Sequence, residues 1–61
     1  MSDRCYVFRI RVRLPSGREV TEYHQVSEEW SALGSAIAMA KVCRFYENLI
    51  QKRQIKTYRI Q

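Results

Sequence analysis

The chain is poor in the residues that break or staple small domains. It has one proline, two glycines and two cysteines in 61 residues. Two thiols without a CxxC pair, beside a single histidine, do not make a four-ligand zinc site. Cys5 and Cys43 both sit in apolar runs, where a free thiol behaves as a small buried hydrophobe, so two reduced structural cysteines are expected. No stretch approaches the roughly 20 apolar residues that span a bilayer. Met1 to Ile10 already contain Asp3, Arg4 and Arg9, which is not a signal-peptide core, so a cytoplasmic chain is expected. Acids are also scarce: six, against eleven Lys and Arg, for a formal charge of +5. Such an excess points to nucleic acid, an acidic protein face or anionic lipid.

No catalytic constellation is present. His24 is alone, and Glu28 and Glu29 are adjacent and do not converge. There is no glycine-rich phosphate loop. A chain this small also lacks room for the usual substrate pocket. The expectation is a non-catalytic protein with no cofactor, no metal and no small-molecule substrate.

What is present is one domain, residues 1–61, of order ββαβ. Residues 4–14 alternate: Tyr6, Phe8, Ile10, Val12 and Leu14 point one way, and Val7, Arg9, Arg11 and Arg13 the other. Pro15-Ser16-Gly17 is a turn, with proline presetting φ and glycine accepting a positive one. Residues 18–26 return. Setting Leu14 opposite Arg18 pairs Val12 with Val20, Phe8 with His24, Arg13 with Glu19 and Arg9 with Tyr23. A one-residue slip would put apolar residues on both faces. Glu22 then falls on the inner face, which an edge strand tolerates, and His24 reads as a packed residue.

Ser27 is the expected N-cap, with Glu28 and Glu29 in the first turn, of a helix over 28–52. Residues 54–60 are the third strand. Right-handed crossover then places it beside the first strand, giving an α+β fold with a three-stranded antiparallel sheet in order 2-1-3 and one helix on one face.

The helix carries more apolar surface than one small sheet covers. Ala32, Ala36, Met39, Cys43, Tyr46 and Ile50 form the stripe expected to face the sheet. Ser31, Ser35, Ala38, Val42, Phe45 and Leu49 form a second, and Trp30, Leu33, Ile37 and Ala40 a short third. The apolar arc is about twice the width an amphipathic helix needs. Ala38, Val42, Phe45 and Leu49 are therefore expected at a second interface, with a homodimer through the helix or an extended sheet as the leading form. Lys41, Arg44, Lys52 and Arg53 read as a solvated, dipole-complementing set.

The uncovered sheet face is expected to carry Arg9, Arg11, Arg13, Arg59 and Tyr23, with Thr21 and Thr57. Basic side chains around an aromatic on an open sheet are the chemistry of single-strand and RNA platforms. An antiparallel sheet with one wet face also places arginines there for solvation alone. An acidic protein surface competes as the partner, and assembly alone is a third reading.

Val26-Ser27 leading into Glu28-Glu29-Trp30, the segment Ala32 to Ala40, and the ending Thr57-Tyr58-Arg59-Ile60 together resemble small accessory proteins of bacteriophages and mobile elements. Among these are short phage inhibitors of host RNA polymerase. The resemblance is one of ββαβ architecture, and it implies a protein partner. The arginine row and the longer helix depart from that pattern.

Overall fold

Alternation of apolar and polar residues over the first half of the chain leaves the backbone one good solution, a hairpin with a single buried face. The computed structural model, which describes residues 3–61, has β1 (Asp3–Arg13), β2 (Glu19–Glu29), α1 (Ala32–Gln51) and β3 (Thr57–Ile60). The sheet order is β2-β1-β3 and both pairings are antiparallel. The expected register holds: Val12 faces Val20, Phe8 faces His24, and Arg13 faces Glu19. At the turn, the Leu14 N–H donates to the Arg18 carbonyl (2.7 Å) and the Gly17 N–H to that of Leu14 (2.8 Å). Gly17 takes φ of 94°, the left-handed value that ends a three-residue hairpin loop.

The strand-to-helix junction lies four residues later than expected. Ser27 does not cap the helix, and Glu28 and Glu29 are not in its first turn. Because β1 begins at Asp3, it offers β2 partners as far as Glu29 (Asp3 faces Glu29, Arg4 faces Glu28). Continuing the ladder satisfies those backbone groups, and the helix waits. Ser31 then performs the capping: its backbone is extended and its Oγ accepts from the Gly34 N–H at 2.9 Å.

The helix ends in a Schellman turn. The Gln54 N–H donates to the Leu49 carbonyl and the Arg53 N–H to that of Ile50, both at 2.9 Å. Arg53 occupies the left-handed position, at φ of 61°. This turn consumes Arg53 and Gln54, so β3 begins at Thr57 and not at residue 54. Ile55 drops into the core, and the Lys56 N–H reaches the Arg13 carbonyl at 2.8 Å.

The core contains Ile10, Val12, Val42, Tyr46 and Ile55, flanked by half-buried apolar residues including Phe8, Val20, Val26, Leu49 and Tyr58. The helical row that faces the sheet is Gly34, Ala38, Val42 and Tyr46. Side-chain size grows along that row, so it fills a wedge that is tightest at Gly34. A Cβ on Gly34 would stand 1.8 Å from the Glu29 carbonyl oxygen. This close approach turns the helix. Ala32, Ala36 and Met39, expected inward, are exposed, and Ala38 and Val42, expected at a partner surface, are fully buried.

Tyr46 accounts for Glu22 on the inner face. Its hydroxyl donates to Glu22 Oε1 at 3.1 Å. Its ring stacks on Tyr58 (5.5 Å between centroids) and meets His24 (5.7 Å) and Phe45 (5.1 Å) edge-on. His24 is thus packed, as expected. Burial, reinforced by the Glu22 carboxylate, pushes the Tyr46 phenol up to about 12. Tyr58 is also raised, first by the Cys43 thiol beside it, then by burial and by Glu47, whose Oε2 accepts from the Tyr58 hydroxyl at 3.2 Å. No helix among the described residues is long and apolar enough to cross a membrane.

Three outcomes follow for stability. Gly34→Ala should cost about 3 kcal/mol, since the added methyl group meets backbone that cannot move aside. Arg53→Gly should add about 0.5–1 kcal/mol by relieving the left-handed position. Urea unfolding measures both. The third concerns pH. Tyr46 holds its proton more tightly folded than unfolded, so its contribution is complete below pH 10.0 and is lost as pH rises through about 12. Absorbance at alkaline pH should show late tyrosine ionisation coinciding with loss of helix, and Tyr46→Phe should remove part of that late step.

Candidate polyanion-binding sheet face

The period of two in β1 puts every second residue on the face opposite the helix. Arg9, Arg11 and Arg13 lie there in a row about 6.6–7 Å apart. Across the β1–β2 ladder they face Tyr23, Thr21 and Glu19. Across the β1–β3 ladder, Arg11 faces Arg59 and Arg13 faces Thr57. The sheet therefore brings together all five residues expected at this site. Tyr23 is 67% exposed, an open ring beside Arg9.

One acid serves this cluster. Glu19 binds Arg11 through Oε1 (3.2 Å) and Arg13 through Oε2 (2.5 Å). Arg13 is further held by the Gly17 carbonyl at 3.1 Å. Arg9 and Arg59 form no ion pair among the described residues. Four arginines against one glutamate leave three uncompensated charges. Placing Arg11 and Arg59 directly opposite one another is itself unfavourable, since like charges across a ladder repel. Arg11 Nε is also buried, with no acceptor among the described residues. A shallow depression of about 290 Å³ opens between Arg11, Arg13, Glu19, Thr57, Tyr58 and Arg59. An anionic oxygen seated there would offset the Arg11–Arg59 repulsion.

The other end of the same face has the opposite sign. Asp3 lies directly across from Glu29, and neither forms an ion pair among the described residues. Cys5 is exposed on this face, not buried as expected, and both cysteines are free thiols. Val7 lies between the two ends and is also exposed.

The helical interface set is not assembled as expected. Ala38 and Val42 are core residues, and Leu49 packs against that core. Only Phe45, 47% exposed, keeps open surface, with its ring edge-on to His24 at 4.8 Å. The apolar surface the helix does expose is at Leu33, Ile37 and Met39, with Trp30 just before it. Trp30, Leu33 and Ile37 stand at helical spacing, but period alone does not say which apolar stripe stays outside, because the orientation of the helix depends on Gly34. Lys41 is not free either: it pairs with Glu28.

Among the described residues, no group of three or more His, Cys, Asp and Glu side chains is placed to hold a metal ion. In comparisons with protein-family models, with curated proteins and with solved structures, nothing matches this chain.

Proposed function

We propose that this chain is a non-enzymatic binding protein whose open sheet face takes a polyanion, with single-stranded nucleic acid as the best-matched ligand. The observation that carries this reading is the uncompensated arginine cluster, in which Arg11 faces Arg59 and one carboxylate serves four guanidinium groups. The row spacing on β1 suits successive phosphates of an extended strand, and Tyr23 offers a face on which a base stacks. In this reading Arg9, Arg11 and Arg59 neutralise phosphates, and Arg13, tied to Glu19 and the turn, sets the geometry. The working form is a cytoplasmic homodimer.

A protein partner is the second reading. It draws on the resemblance to phage accessory proteins and on the exposed apolar ridge of Trp30, Leu33 and Ile37. Assembly alone is a third.

Binding to labelled single-stranded DNA, single-stranded RNA and duplex DNA across a salt series separates these. Three net phosphate contacts on a single strand give a log–log salt slope near about −2. Arg11→Ala should weaken binding and make the slope shallower by about 0.7, one contact's worth. Glu19→Gln should tighten binding, because it frees Arg11 and Arg13, at a stability cost below about 1 kcal/mol for exposed pairs. Absence of binding to all three at low salt removes the nucleic-acid reading. Activity lost with Leu33→Asp but kept with Arg11→Ala favours the protein partner.

A further inference from the structure

β1 is eleven residues long, but β3 covers only part of its second edge. β3 pairs with Ile10 to Arg13, and the Gln61 N–H adds one bond to the Arg9 carbonyl at 2.9 Å. Residues 3–8 have β2 on one side and no strand on the other among the described residues. The direction of the backbone groups follows from the bonds at the two ends of the strand. Leu14 bonds toward β2, whereas the Arg9 and Arg13 carbonyls accept from the β3 side. Alternation then aims the N–H and C=O of Asp3, Cys5 and Val7 into the open edge.

This edge has the character that invites a strand. It reads Cys5-Tyr6-Val7-Phe8, with no proline and no inward charge in that run. The outer edge of β2 is blunted by contrast, with Glu22 on its inner side and Glu19, Glu28 and Glu29 along it. On the helix side of the sheet, a cleft of about 340 Å³ lies between Tyr6 of β1 and Trp30, Ser31, Ala32 and Ser35 at the helix start.

We propose that a second copy of this chain fills the slot, its β1 pairing antiparallel to the first about a two-fold axis at Cys5. Only odd residues bond at this edge, and Gln61 blocks the place opposite Arg9. The register that fits sets Cys5 against Cys5, Asp3 against Val7 and Arg4 against Tyr6. Charge complementarity favours a second copy over an unrelated strand. Each Asp3, which faces the acid Glu29 in its own chain, comes diagonally beside the partner copy's Arg9, which has no ion pair among the described residues, on the same face. Each Arg4, already 5.4 Å from its own Trp30 ring, meets a Tyr6 ring across the axis. The axis is normal to the sheet. It leaves both helices on one face of a six-stranded sheet and both arginine clusters on the other.

The test is sedimentation equilibrium of the full chain in reducing buffer, and its readout needs no nucleic acid. Success or failure is thus separate from that of the polyanion reading. The wild-type chain should be a dimer. Cys5→Lys and Cys5→Glu, each placing like charges at the axis on an exposed site, should weaken it at least about tenfold. Mixing the two should restore a 1:1 heterodimer. Val7→Pro, which removes an N–H from the open edge and none from the β1–β2 ladder, should also give a monomer. A wild-type monomer at high concentration overturns the proposal. So does a dimer that survives Cys5→Lys, or one abolished by Leu33→Asp with Cys5→Lys silent.

Discussion

The contact between Gly34 and the carbonyl end of β2 governs the rest of the molecule. The helix starts two residues after a strand and must fold straight back over it. A turn that short brings helical backbone against strand backbone, and only a residue without a side chain fits. Once Gly34 occupies that point, the inward row is set at steps of four, and the sequence supplies Ala38, Val42 and Tyr46 in rising size. The row ends at a phenol large enough to reach β2 through Glu22 and β3 through the Tyr58 ring. One steric fact at the start of the helix thus places the aromatic cluster that closes the other end.

Burial here is lean, as expected for a chain of 61 residues. Stability comes from a few large groups that serve two purposes. Tyr46 fills volume and satisfies an inward carboxylate. Arg13 joins the turn carbonyl to Glu19. Ile55 anchors the segment between helix and β3. A marginal core of this kind is sensitive to single substitutions, since each such residue supports more than one element.

The hairpin was legible in the sequence because a period of two has one consistent register, and Val12 against Val20 with Arg13 against Glu19 satisfies it. The sheet order followed from handedness, and the arginine face followed from both. The helix start was not legible. Ser27-Glu28-Glu29 reads as a cap, and what moves the start to Ser31 is how far β1 reaches back to offer β2 partners. The helix orientation was not legible for a related reason. With Ala32, Ala36, Ala38 and Ala40 distributed around the axis, hydrophobic pattern favours no face strongly. The deciding residue was a glycine, which pattern analysis scores as a weak helix former and not as a packing contact. The contact at Gly34 puts Ala38 and Val42 in the core and leaves Trp30, Leu33 and Ile37 as the exposed ridge.

The long axis of the molecule, 44 Å against 19 and 13 Å, separates its charges as well as its elements. The hairpin turn, the helix end and β3 put Arg13, Arg18, Lys52, Lys56 and Arg59, with the acid Glu19, toward one extremity, while Asp3, Glu28 and Glu29, with the arginine Arg4, lie toward the other. The chain is therefore an electric dipole, not merely a cation. In the field of a polyanion a single copy would swing arginine-end first before any contact formed, and the torque would raise the fraction of productive encounters. Two copies joined about a two-fold axis would have opposed in-plane moments. Their dipoles would cancel and leave a body positive at both tips, which a long anionic strand would meet lengthwise and not end-on.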